Sequence, residues 1–269
     1  MFDKKIIWIA SYPRSGNTWL RFILSSLFFE FKDFDNKWNM TKLIPDIHIN
    51  TPEEIFGAPS VKDKLNDISF CKTHHSKPTD IKNRLKLQGL KTVGYIYIYR
   101  HPLDVLISAI NFSYYKGISK FFLDGKLRTP SQLYETGNID QYLINFTENA
   151  TEIKIWNKMS GSWLENVYSW CLLQKHYEPS IIINYDNLLE NPLKELMVLH
   201  DYFPKLEKNN IIQSLEIARK LTYSNKQNSF FWKKETGTHK KYFNKNLISV
   251  FNKKYGDILS ELSLDCEYS

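Results

Sequence analysis

Residues Ser11-Tyr12-Pro13-Arg14-Ser15-Gly16-Asn17-Thr18-Trp19 bring together the groups that bind a tetrahedral anion. Arg14 offers a planar cation, Ser15 and Thr18 offer hydroxyl donors, and Gly16 lets the backbone approach closely. A second set is Lys72-Thr73-His74-His75. An imidazole, with an ordinary pKa of about 6.5, is suited to moving a proton near neutral pH. The third is Arg100 with Ser108 eight residues later, a cation and a hydroxyl for another anion. Paired histidines more often pack at a surface, and no Cys or acidic residue stands at a metal-binding offset from this pair, so no metal is expected.

The elements around these residues give them positions. Ile6 to Ala10 is a short β-branched run, and Leu20 to Phe31 is long enough for a helix. A strand, a tight loop and a helix start aim backbone N–H groups at an anion. The loop is not that of the triphosphate-binding kinases and ATPases, which needs Gly, four residues, then Gly-Lys-Ser/Thr; no glycine precedes Gly16. Val93 to Tyr99 reads as a strand that leads into Arg100-His101-Pro102-Leu103-Asp104. Pro102 suits the first position of the helix that follows, and Asp104 suits its positive end. Ser180 to Asn184 reads as another buried strand ending at Tyr185, and Trp163, Val167, Trp170, Leu173 and Tyr177 recur at helical spacing.

The first loop resembles the 5′-phosphosulfate loop of sulfotransferases that use 3′-phosphoadenosine 5′-phosphosulfate (PAPS), usually Tyr-Pro-Lys-Ser-Gly-Thr-Thr-Trp. Arg14 stands for the Lys and Asn17 for a Thr, and Arg for Lys changes a cation that must follow a moving sulfuryl group. The resemblance implies nucleotide contacts from Arg14, Ser15, Gly16, Asn17, Thr18 and Trp19. Arg100 and Ser108 match the family's 3′-phosphate pair in type and spacing. Lys72-Thr73-His74 is similar to its Lys-Thr-His segment, which implies that His74 is the base for the acceptor hydroxyl and that Lys72 and Arg14 approach the sulfonate. Tyr185, ahead of Asp186-Asn187-Leu188, matches a Tyr that reaches the nucleotide, and is otherwise an ordinary strand-end aromatic. Trp232 to Phe243 resembles the family's Arg-Lys-Gly-x-x-Gly-Asp-Trp-Lys-x-x-Phe lid, with Gly237, Lys240 and Phe243 in place. Lys233 or Lys234 then holds the 3′-phosphate, depending on a one-residue gap.

The implied fold is α/β: a central parallel sheet flanked by helices, with a P-loop-like loop after the first strand, in a single domain over 1–269. The implied reaction is sulfuryl transfer from PAPS to a small-molecule hydroxyl, releasing adenosine 3′,5′-bisphosphate. A P-loop nucleotide kinase or NTPase, and a carbohydrate or amine sulfotransferase, are the alternatives. Stretches 33–64 and 112–162 are expected to build the acceptor pocket, where Asp46, His48, Asp124, Asp140 and Glu148 suit a cationic or polyhydroxylated acceptor. Lys and Arg total 36 against 29 Asp and Glu, a net +7 that favours anionic ligands. PAPS meets that bias without nucleic acid, for which no zinc-finger or RNA-binding motif is present. No signal peptide or membrane span is read, and three scattered cysteines suit a reducing cytoplasm.

Overall fold

The computed structural model describes residues 4–29, 37–61, 67–76, 89–172, 179–204, 206–223 and 235–264. It divides into two compact units, residues 1–99 with 165–227 and residues 100–164 with 228–269.

The first unit holds a four-stranded sheet of β1 (Lys4–Ala10), β2 (Ile68–Thr73), β3 (Leu90–Tyr99) and β4 (Ser180–Asn184), in the order β2-β1-β3-β4. Every neighbouring pair is parallel. A parallel sheet is covered on both faces, so its inner strands read as apolar runs. Ile6, Ile7, Ile9 and Ala10 of β1, and Ile96 and Ile98 of β3, are accordingly inaccessible to solvent. Ala10 lies opposite both Thr73 and Tyr97, so β1 and β2 end together and β3 runs two residues further. At that shared carboxyl edge the chain turns from β1 into α1 (Asn17–Phe29), and from β2 into His74. Ligands of open α/β sheets bind at this edge.

Two buried tyrosines of β3 need partners for their hydroxyls. Tyr95 donates to the Trp170 carbonyl at 2.9 Å and Tyr97 to Asn166 Oδ1 at 2.8 Å. Gly94 permits the approach of the chain entering β4, because a Cβ there would lie 2.4 Å from the Pro179 carbonyl oxygen. Trp163, Val167 and Trp170 are fully buried, as their spacing predicts. The helix Trp163–Val167 then widens into a π-helical turn over Tyr168–Leu172, while Leu173 and Tyr177 belong to a stretch outside the described residues.

One small element has no counterpart in the sequence reading. Residues 45–47 lie alongside the outer edge of β2: Lys72 N donates to the Pro45 carbonyl at 2.7 Å, and Ile47 N to the Lys72 carbonyl at 3.0 Å. This parallel bridge joins Asp46 to Lys72.

The second unit is helical. Its longer helices are Pro102–Tyr115, Ile139–Glu148 and Lys245–Glu261. Phe146 and Phe251 stack at 6.1 Å, and Lys254 Nζ and the Tyr255 hydroxyl both donate to the Thr147 carbonyl, at 2.7 and 2.9 Å.

Candidate active site

In the first unit, the loop between β1 and α1 closes on itself. Ser15 N donates to the Tyr12 carbonyl, and the Gly16 carbonyl accepts from Trp19 N at 3.0 Å and Leu20 N at 3.1 Å, starting α1. Arg14 has a φ of 72° and Gly16 of 99°. At Gly16 a side chain is excluded twice over: by that φ, and because its Cβ would stand 2.3 Å from the Tyr185 ring. Tyr185 thus packs on the loop, and it also meets Trp19 edge to face at 6.1 Å. The Asn17 amide is turned inward, donating to the Ile9 carbonyl at 3.1 Å and Ser11 Oγ at 3.2 Å. Its side chain therefore braces the loop.

The loop fits a phosphate-type group. The Ser15 hydroxyl and the Trp19 indole N–H are buried with no hydrogen-bond partner among the described residues. An unmet buried donor costs about 1–3 kcal/mol, which an anionic acceptor would relieve. The first turn of α1 carries no acidic residue of its own to oppose an anion at its positive end.

Beside the loop stand Lys72 and His74. His74 Nδ1 lies 2.8 Å from the Ser11 carbonyl oxygen and 3.2 Å from Ser11 Oγ. A carbonyl only accepts, so Nδ1 carries the proton and the lone pair is on Nε2. Burial, together with the nearby Lys72 charge, holds the His74 pKa well below its usual value, so the ring is neutral at physiological pH. Lys72 Nζ forms a buried ion pair with Asp46 Oδ2 at 2.8 Å. Burial draws Lys72 down to about 8 against the pull of Asp46. For Asp46, burial alone would raise the pKa, but the charges of Lys72 and Arg21 outweigh it and hold it at about 2. Arg21 is itself buried and donates to the Ile44 carbonyl. His75 is turned into the interior, 5 % exposed, which distinguishes it from His74.

The second unit contains Arg100, Ser108 and Gly237. Arg100 and Ser108 are both about nine-tenths buried. An Arg100 Nη donates to the Glu235 carbonyl at 2.7 Å, and the Trp163 indole donates to the Arg100 carbonyl at 3.2 Å. Pro102 occupies the first helical turn, and His101 caps it by accepting from Leu103 N. The carboxylate of Asp104 turns to the 235–241 segment: it accepts from Gly237 N at 2.9 Å, His239 N at 2.9 Å and His239 Nδ1 at 2.8 Å. Burial would raise Asp104, yet the His239 hydrogen bond and the Arg100 charge bring it to about 2. His239 stacks flat on His101 at 4.3 Å. Trp232, Lys233 and Lys234 lie outside the described residues.

The family model of the sulfotransferase domain matches residues 4–263. The chain belongs to the sulfotransferase family. This decides against the nucleotide kinase alternative. A rabbit (Oryctolagus cuniculus) amine sulfotransferase is 24 % identical over 232 residues, covering 80 % of this chain and 68 % of its own. Rat (Rattus norvegicus) sulfotransferase 1A1 is 24 % identical over 280 residues, covering 97 % and 85 %. Among solved structures, retinol dehydratase in complex with retinol and PAP superposes with a TM-score of 0.59 at 16 % identity, covering 96 % of this chain and 82 % of that one. A mouse sulfotransferase complexed with PAP gives 0.56 at 18 % identity, covering 96 % and 86 %. These likenesses establish the fold of this sulfotransferase.

Sequence reasoning missed Asp46 as the partner of Lys72 and Asp104 as the anchor of the 235–241 segment. An acid between Pro45 and Ile47, in an apolar run, was the available signal for the first. Of the carboxylates expected to face an acceptor, Asp46 is paired with Lys72, Asp124 pairs with Arg128 at 2.7 Å, and Asp140 accepts from Asn244 N at 2.9 Å. The second unit has a half-open pocket of about 400 Å³, lined by Leu106 and by residues of the 112–162 stretch, among them Phe122, Tyr142, Phe146, Ile153, Lys120 and Glu152. Among the described residues, no helix is long and apolar enough to cross a membrane.

Proposed function

We propose that this sulfotransferase moves the sulfuryl group of PAPS to a hydroxyl of a small-molecule acceptor and releases adenosine 3′,5′-bisphosphate. The observation that carries the reading is the hydrogen bond from His74 Nδ1 to the Ser11 carbonyl, which ties a neutral imidazole to the anion-binding loop. PAPS supplies an activated sulfuryl group. The acceptor hydroxyl gives its proton to His74 Nε2 as its oxygen bonds to sulfur, and the bond between sulfur and the bridging phosphate oxygen breaks. Arg14, Lys72, the Ser15 and Thr18 hydroxyls and the loop N–H groups stabilise the charge that develops on the leaving phosphate. Gly16 and Trp19 shape the loop, Tyr185 supports it, and Asn17 braces it from within. Arg100 and Ser108 hold the 3′-phosphate, with Gly237 and Lys233 or Lys234 in the segment beyond. The aromatic walls of the pocket in the second unit support a partly apolar ligand of small-molecule size. Two buried free thiols, Cys71 and Cys171, suit action in a reducing cytoplasm.

The test combines binding and turnover. Adenosine 3′,5′-bisphosphate raises the melting temperature well above the effect of ATP with Mg²⁺. A panel of phenols, alkaloids, sugars and oligosaccharides incubated with PAPS gains the mass of one sulfonate on a small hydroxyl compound. Stabilisation by ATP-Mg²⁺ alone refutes the PAPS reading, and sulfation of only polymers or amines refutes the acceptor.

A further inference from the structure

We propose that His48 is a positioning residue for His74, holding its main chain so that the imidazole keeps Nδ1 on the Ser11 carbonyl and presents Nε2. The inference rests on the reading of His74 as the base. β2 ends at Thr73, so the N–H of His74 is the first donor beyond the strand ladder. His48 Nε2 accepts it at 2.9 Å. A neutral ring that accepts at Nε2 carries its proton on Nδ1, which fixes the His48 tautomer. Burial, with the Lys72 charge beside it, lowers His48 to about 3, so the acceptor is present at every physiological pH.

The surrounding groups make this a built arrangement. His48 N donates to Asp46 Oδ1 at 3.0 Å, while Asp46 Oδ2 takes Lys72, so one carboxylate ties the His48 main chain and the Lys72 ammonium together beside β2. The His48 ring lies nearly parallel to that of His74, at 5.9 Å and 11°, and packs on His75 at 4.9 Å. The rest of the turn is held by side chains as well. Asn166 donates to the His74 carbonyl at 3.3 Å, Thr73 Oγ1 accepts from His75 N at 3.1 Å, and the Trp170 indole donates to the His75 carbonyl at 2.9 Å. Of the hydrogen bonds that hold this two-residue backbone, the one to the His74 N–H comes from His48. An error of about 1 Å in the placement of a reacting group can cost a hundredfold in rate.

Two substitutions separate positioning from bulk. His48→Leu fills the space without an acceptor, and His48→Gln offers an oxygen near the place of Nε2. The tautomer of the His74 ring is read by two-bond ¹⁵N–¹H correlation, which needs no acceptor substrate, and kcat is read with PAPS and 4-nitrophenol. The wild-type ring is the Nδ1–H tautomer. In His48→Leu the ring averages between tautomers and kcat falls roughly 10- to 100-fold, with KM for PAPS unchanged. His48→Gln restores both, and adding His48→Leu to His74→Ala brings no further loss. A wild-type tautomer and kcat in His48→Leu overturn the role. So does failure of His48→Gln to restore them, or a further loss in the His74→Ala background. A fully active His74→Ala enzyme instead removes the base on which the inference rests, and is recognised separately.

Discussion

Replacing Asp104 with alanine tests how the 235–241 segment is held. The carboxylate has no exposed surface and accepts three hydrogen bonds, from Gly237 N, His239 N and His239 Nδ1, with an Arg100 Nη 3.7 Å away. Hydrogen bonds to a charged group contribute about 1.5–3 kcal/mol each, and donors left unmet in the interior cost about 1–3 kcal/mol each. These losses overlap, and removing one member of a buried charged set typically costs about 3–5 kcal/mol. For a chain of this size each kcal/mol lowers the melting temperature by about 2–4 °C, so a drop of roughly 6–20 °C follows. The loss also has a direction. Arg100 is restrained by Asp104 and by the Glu235 carbonyl, so freeing the segment frees the guanidinium. Calorimetric titration of Asp104→Ala below its melting temperature therefore shows weaker binding of adenosine 3′,5′-bisphosphate, with adenosine 5′-phosphate little changed. Asp104→Asn, which keeps one acceptor oxygen, falls between. Wild-type melting would refute the clamp, and equal loss of both nucleotides would refute its link to the 3′-phosphate.

Gly16→Ala forces a Cβ against Tyr185 at a φ of 99°, so binding of adenosine 3′,5′-bisphosphate, measured by the same titration, falls at least tenfold; unchanged affinity would show that the loop yields without consequence. Arg100→Ala weakens the bisphosphate far more than adenosine 5′-phosphate, and an equal loss for both contradicts a 3′-phosphate role. Stability falls on acidification in two steps. His48 sits at about 3 in the fold against about 6.5 unfolded, so the unfolded chain binds more protons between those values and stability declines as pH drops below about 6.5. Asp46 and Asp104, held at about 2, add a second decline as pH falls from about 4 toward 2. Melting temperatures measured from pH 8 to 3 follow this curve, and a flat profile from pH 6.5 to 4 contradicts the burial of neutral His48.

The parts of the site legible in the sequence are those determined over a few residues. Ile6 to Ala10 is apolar because β1 is central, and Gly16 stands where Tyr185 leaves no room for a side chain. Pro102 announces a helix start because its missing N–H is harmless there. What stayed hidden depends on distant pairings. Asp46 meets Lys72 across 26 residues through a bridge too short to impose any hydrophobic period. Asp104 reads correctly as a first-turn acid, but its partners stand 133 and 135 residues away, so nothing local names them. Asn17 reads as a ligand donor by type, and only the fold reveals that its amide points back to β1.

The bridge beside β2 also has a consequence for association. Among the described residues β2 is the outermost strand on its side of the sheet, and a bare parallel edge is a template on which another chain can add a strand. Residues 45–47 occupy that edge for two hydrogen bonds, and the outward backbone of Asp46 is already used: its N–H donates to Asn50 Oδ1 at 2.8 Å and its carbonyl accepts from Ile49 N and Asn50 N. A strand arriving from a second molecule would meet backbone groups already bonded within the chain. The segment that pairs Asp46 with Lys72 thereby caps the sheet against growth, so substitutions that loosen it carry a solubility risk.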